Sequence, residues 1–272
     1  MTDVPTVRNT EGEAWVRAEL ALLRSARFSP AALARFLGAS QRRAGHVRRE
    51  RPELARRARH WTMLGAAAWL LLAAAGREPF RRRLAAGLGW WGSVAVMLDW
   101  HLGMFETADG APRNLGPADA LTLTRAWLVP VMADGLRPVP IAVAATTDLL
   151  DGVAARATAP TRAGRDLEGL VDGAALGATL LGARRRDELA PAATALEITR
   201  ISAGFAYALL VYFGRADAPD PAVTRAARAT TPVRVAGLLI AARGQRRAGS
   251  TILAAGSLLG LAAVARAVAQ HE

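Results

Sequence analysis

The chain has 272 residues, 52% of them hydrophobic, with a mean hydropathy of +0.17 and a formal net charge of +12. It has no cysteine, and every one of its 35 basic residues is arginine. That composition excludes a disulfide scaffold, thiolate chemistry, Cys-ligated metal sites and lysine-dependent Schiff-base or Walker-A chemistry, and its long apolar blocks exclude a disordered tail or a collagen-like fibre. The four histidines, His46, His60, His101 and His271, are too scattered for a His-x-x-x-His metal pair, which leaves carboxylates, arginines and hydroxyls for catalysis.

Residues 1–60 read as a basic, helical, cytoplasmic region. Ser29-Pro30 is a helix N-cap and first-turn pair. Ala31 to His60 carries nine arginines against Glu50 and Glu53, a pattern suited to anionic membrane lipids. No aromatic residues alternate with these arginines, so nucleic acid is not an expected partner. No apolar stretch precedes residue 60, so no cleavable signal peptide is expected.

Residues 61–104 are expected to form two additional transmembrane helices. Trp61–Gly76 is uncharged but, at sixteen residues, short for a span, which needs about 20. Arg77–Arg83 separates it from Leu84–Gly103, where Trp90, Trp91 and Trp100 stand as interfacial rings. A polar linker, 105–116, follows. Residues 117–272 then hold six apolar segments: Pro117–Ala133, Val139–Ala155, Gly164–Ala183, Leu189–Phe213, Pro232–Ala242 (beginning as early as Ala226) and Ser250–Ala269. The fold class expected is all-α, a polytopic membrane helical bundle, because nothing reads as an alternating strand and an open sheet would leave backbone groups unpaired in lipid.

Charge inside such segments is costly and marks function. Asp148 and Asp151, three apart, share one helix face. Gly164, Glu168 and Asp172 recur every fourth residue on the next helix, and Gly164 permits close approach. Carboxylates held together repel unless a cation neutralises them, and an all-oxygen set suits Mg²⁺ or Mn²⁺. Arg125 lies within an apolar stretch, where an unpaired charge is costly. Arg200 follows Glu197 by three residues, which suits an internal ion pair or a phosphate contact. Arg234 is expected to snorkel to the interface, and Gly169, Gly173 and Gly177 to form a helix-packing seam.

The run Asp148, Asp151, Gly152, Ala155, Arg156, Gly164 and Asp172 resembles the signature of the CDP-alcohol phosphatidyltransferases. Leu121-Thr122-Leu123-Thr124-Arg125 followed by Val129-Pro130 resembles the opening of that family's first core helix. The resemblance covers roughly residues 114–269. The third acidic position is Glu168 where the family has Asp, and seven residues rather than eight separate Arg156 from Gly164. The resemblance implies a six-helix core, dimeric, with a polar cavity at the cytoplasmic face of the cell membrane. It implies a magnesium- or manganese-dependent transferase of phospholipid biosynthesis. That enzyme would move a phosphatidyl or related group from a CDP-alcohol donor to a hydroxyl acceptor and release CMP. In it Asp148, Asp151, Glu168 and Asp172 would be the metal-binding set. Asp172 would also be the catalytic base, and Gly152, Ala155, Arg156, Gly164 and Arg125 would serve the nucleotide pocket. The alternative is a non-catalytic membrane protein that keeps the fold and binds nucleotide, lipid or a protein partner. With the N-terminus inside, Arg81–Arg83, Arg184–Arg186 and Arg243–Arg247 fall on the outer side, against the positive-inside rule; the thirteen arginines of residues 1–60 favour the inside placement.

Overall fold

The computed structural model describes residues 11–107, 109–158, 161–211 and 220–271, with the side chains of Ala155, Arg156, Thr158, Ala208, Pro221, Ala267, Gln270 and His271 also left undescribed. The described residues form α helices with no strand: α1 Glu11–Ser25, α2 Pro30–Glu50, α3 Pro52–Ala74, α4 Leu84–Trp100, α5 Pro117–Met132, α6 Pro138–Thr158, α7 Arg162–Arg185, α8 Pro191–Leu210, α9 Pro221–Ala229, α10 Thr231–Ala242 and α11 Arg246–His271. The chain is therefore all-α, as its patterning predicts. Among the described residues one helix, α11 over Arg246–Arg266, is long and apolar enough to cross a membrane.

Local chemistry sets the helix ends. The Ser29 side chain accepts from Ala32 N at 3.4 Å, with Pro30 in the first turn, as expected of a cap. The basic stretch after it is two helices rather than one. Pro52 disfavours a helical Arg51, which sits at φ −125°, ψ 65° and ends α2. The fifth apolar segment is likewise broken at Thr230, where Pro232 opens α10, so its early start near Ala226 belongs to the separate helix α9.

The chain divides into two compact units. The first comprises residues 1–127 and 147–171, the second 128–146 and 172–272. In the first, one apolar core joins Leu54 and Ala58 of α3, Trp91, Val94 and Leu98 of α4, Phe105, Leu115, Leu123 of α5, and Ala163, Leu167 and Val171 of α7. The 105–116 segment, expected as a linker, is tied to the α2–α3 corner. Arg51 donates to the carbonyls of Phe105 (3.0 Å) and Arg113, and Arg57 donates to Leu115 O at 2.7 Å. Burial lowers the pKa of Arg51, while the nearby Glu106 acts in the other direction.

α3 and α4 interlock through tryptophan against glycine. A Cβ on Gly87 would overlap the Trp69 ring, and one on Gly65 the Trp91 ring. Trp91 is thus a core residue and not an interfacial ring: its indole donates to Thr62 O at 2.6 Å and only 5% of it is exposed. Trp90 donates to Ala126 O at 2.7 Å and Trp127 to Gly65 O at 2.8 Å, fastening α5 to the same pair.

In the second unit α11 packs on α8, α9 and α10. Gly237 of α10 is the close approach there, since an added Cβ would lie 2.7 Å from Leu253 N. At the expected seam of Gly169, Gly173 and Gly177 no close approach occurs among the described residues of this chain: an added Cβ at each meets nothing within 4 Å.

Gly87→Val should therefore lower the thermal midpoint, at an overpacking cost of about 1–3 kcal/mol. Gly89→Ala, where an added Cβ meets open space, should leave it unchanged or raised. Circular-dichroism melts of the two purified variants check the contrast.

Candidate functional site

α5 brings Thr122 and Arg125 to the inner face of the first unit. Arg125 is only 2% exposed, and burying an ion there requires a partner. Asp151 of α6 supplies it: Arg125 Nη2 donates to Asp151 Oδ2 at 2.9 Å, and Thr122 Oγ1 donates to the same oxygen at 2.7 Å. Asp148, one turn earlier on α6, stands 3.8 Å from Arg125 Nη1 and is partly open, with 44% of its side chain exposed. Asp148 and Asp151 lie toward one face, as their spacing requires, but they have different surroundings. Asp151 is enclosed by Arg125 and Thr122; Asp148 is half open.

α7 carries the next carboxylates. Its start is capped by Thr161, whose Oγ1 accepts from Gly164 N at 3.0 Å. Gly164 is where a side chain cannot be added freely: a Cβ would lie 2.9 Å from Thr161 Oγ1 and 3.3 Å from Asp119 Oδ1. Asp119 in turn accepts from Gly116 N at 2.7 Å and fixes the first turn of α5. Arg162 is held from outside the helix, by Glu13 of α1 at 2.6 Å through its side chain and by Glu106 O at 3.2 Å through its backbone N–H.

Glu168, and Asp172 one turn further along α7, are half-buried and face Asp148. Asp148, Glu168 and Asp172 each offer a carboxylate oxygen, and these oxygens all lie within 4.8 Å of one another. Oxygen ligands at about 2.0–2.6 Å from a hard cation sit up to roughly 4–5 Å apart across it, so this set has the dimensions of a divalent site. Asp151 is not in the triad, because its buried oxygen is engaged by Arg125 and Thr122. Arg125 thus meets two of the four expected metal-binding carboxylates. Gly152 is half-buried on α6; the expected nucleotide-pocket side chains of Ala155 and Arg156 lie outside the described residues.

Sequence reasoning gave no role to Thr122, Asp119 or the Glu13–Arg162 pair. Thr122 carried a signal, three residues before a buried arginine on the same face. The Glu13–Arg162 pair joins residues far apart in sequence and carried none.

The second unit holds a separate charged cluster. Glu197 of α8 is fully buried and accepts from Arg200 at 2.7 and 2.9 Å, from Arg234 of α10 at 2.8 Å, and from Ser257 of α11 at 2.6 Å. The Glu197–Arg200 ion pair is present, one of the two roles open to Arg200. Arg234 does not snorkel; it is 7% exposed and points inward, because Glu197 offers it a buried counter-charge.

No family model matches the chain, and comparison with curated proteins and with solved structures returns no match.

Glu197→Ala should destabilise the fold by about 3–5 kcal/mol, because it strands two guanidinium groups in an apolar interior. Glu197→Gln, which keeps an acceptor without the charge, should cost less. Thermal unfolding of both variants tests the order.

Proposed function

We propose that the chain is a multi-pass membrane CDP-alcohol phosphotransferase. Its reaction transfers a phosphatidyl or related substituted phosphate group to a hydroxyl acceptor and releases CMP, in phospholipid biosynthesis. The observation that carries this reading is the convergence of Asp148, Glu168 and Asp172. Three half-buried carboxylates within one cation's reach repel each other, and a divalent cation relieves that repulsion. Bound Mg²⁺ or Mn²⁺ would spread charge on a donor diphosphate and stabilise the departing CMP. Asp148 and Glu168 would hold it. Asp172 would also accept the proton of the acceptor hydroxyl. Arg125 would act from behind, keeping Asp151 and the α6 face in register.

A membrane setting is supported by α11 and by large apolar side chains left at the surface. Leu149, Leu150 and Val153 of α6, Leu209 and Leu210 of α8, and Leu258 and Leu259 of α11 are all exposed. Such residues are stable facing lipid and costly facing water. The remaining expected spans, a homodimer and a cytoplasmic site belong to this proposal.

Purified protein supplied with CDP-diacylglycerol, Mg²⁺ or Mn²⁺ and a panel of alcohol acceptors should release CMP. Asp172→Asn should lower that rate at least about a hundredfold, the scale of a lost general base, while leaving donor binding largely intact. Absence of CMP with every CDP-alcohol donor and acceptor overturns the reading.

One observation favours the non-catalytic alternative, a membrane protein that binds nucleotide or lipid. Asp151 is already satisfied by Arg125 and Thr122, so the carboxylate set is one short of the expected four. Binding of a CDP-alcohol without turnover by the unmodified chain would select this alternative.

The departure at Glu168 gives a sharper test. The extra methylene of Glu168 lets its carboxylate reach Asp148 from α7, so Glu168→Asp should weaken Mn²⁺ binding. Glu168→Ala should weaken it further, by at least about tenfold. Titration of Mn²⁺ by electron paramagnetic resonance reads both; an unchanged titration for Glu168→Ala removes Glu168 from the site.

A further inference from the structure

We propose that the groove between α2, α3 and α4 is a binding site for one anionic glycerophospholipid, distinct from the acidic site. This rests on the membrane reading above. The groove encloses about 670 Å³ and lies wholly within the first unit. Its lining includes Arg48 and Arg49 of α2 and Arg59 of α3, beside the buried apolar Ala58 and Leu98 and the exposed Val96.

Charge selects the headgroup. Arg48 is paired with Asp99 of α4, also in the lining. Three arginines against one aspartate leave two positive charges. Arg49 and Arg59 are exposed, and among the described residues neither has a carboxylate partner. Arginine forks of this kind match phosphate oxygens in a bidentate manner. A zwitterionic lipid also brings a phosphate, but its choline would sit among arginines and be repelled.

The apolar half of α3 selects a lipid over a free phosphate. α3 changes character at Thr62: Arg56, Arg57 and Arg59 precede it, and uncharged residues run from there to Ala74. Those last thirteen residues span about 20 Å, somewhat more than one leaflet of a hydrocarbon core roughly 30 Å thick. Met63, Leu64, Leu70 and Leu71 on this half and Val96 on α4 are exposed. A headgroup phosphate bound at Arg49 and Arg59 therefore sits at the polar boundary, with exposed apolar side chains below it to meet the acyl chains. The walls are set before any ligand arrives. Trp91 fixes Thr62 through its carbonyl at 2.6 Å, and Trp100 fixes Gln41 at 2.8 Å.

The experiment is native mass spectrometry of the full chain in a neutral detergent, titrated with phosphatidylglycerol or with phosphatidylcholine. One phosphatidylglycerol should bind in clear preference to phosphatidylcholine. Arg49→Ala with Arg59→Ala should weaken it about tenfold or more, the loss of at least 1.4 kcal/mol. Arg42→Ala with Arg56→Ala, an equal change of charge at exposed arginines outside the groove, should leave it unchanged. Equal affinity for the two lipids, or equal loss in both double variants, overturns the site in favour of diffuse attraction. Displacement of the lipid by glycerol phosphate at the same concentration as phosphatidylglycerol shows that only phosphate is read, and overturns the lipid assignment. Flotation of the chain with phosphatidylcholine liposomes after alkaline wash separates the two levels of failure. A chain that floats but shows no lipid preference loses this site and keeps the membrane reading, whereas one that does not float loses both.

Discussion

The interaction on which the candidate site depends is the buried pair between Arg125 and Asp151. A guanidinium that is 2% exposed pays a large desolvation cost, which only a well-aligned partner offsets. Asp151 meets that need at 2.9 Å and Thr122 completes the oxygen's coordination at 2.7 Å. Rotating α6 about its axis would strand Arg125, so the face of α6 that looks toward α5 is fixed. Asp148 lies one turn earlier on nearly the same face, and its orientation follows. The pair therefore does two opposite things. It withdraws Asp151 from the carboxylate set and presents Asp148 to α7.

The position of Glu168 has an independent origin. The start of α7 is pinned from three sides: Thr161 caps its third residue, Glu106 O accepts from Arg162 N, and Glu13 of α1 pairs with the Arg162 side chain. The 105–116 segment that contributes Glu106 is itself held by Arg51 and Arg57. A helix that begins at a fixed point and rises about 1.5 Å per residue places its seventh residue, Glu168, with little freedom. The N-terminal helices thereby set the geometry of a carboxylate far from them in sequence. That effect on Glu168 is mechanical and needs no contact between those helices and the acidic set.

What could be seen in the sequence follows from how far apart the interacting residues lie. Ser29-Pro30 declared a cap because capping is local chemistry, and the 148/151 and 164/168/172 spacings declared shared faces because helical periodicity is local too. Helical element type was readable across the described residues, since no strand alternation interrupts the apolar blocks. Contacts across the chain were not readable. Nothing near Arg234 signals that Glu197 waits for it on another helix, so an interfacial arginine was the natural expectation. Trp91 looked interfacial because its partner, Gly65, is marked only by the absence of a side chain. The glycines at 169, 173 and 177 had the spacing of a seam without a neighbour to fit it. The resemblance gave Asp151 the same role as Asp148; the structure separates them by one hydrogen-bonded arginine.

The exclusive use of arginine becomes intelligible from these contacts. Arg51 spans two carbonyls, Arg186 donates to both the carbonyl and the carboxylate of Asp134, and Arg246 grips both oxygens of Asp187 at 2.7 Å. Each of these uses two nitrogens of one planar head, which a lysine ammonium, a single rotating centre, does not reproduce with fixed geometry. An ammonium would also shed its proton more readily on burial, whereas a guanidinium stays charged and keeps its partners. With no strand among the described residues to pair backbones between segments, helices must be tied by side chains. Helix ends and connecting segments supply unpaired carbonyls, and arginine reaches several of them from one position. The same planar head would let Arg49 and Arg59, which have no carboxylate partner among the described residues, take the phosphate oxygens of the proposed lipid.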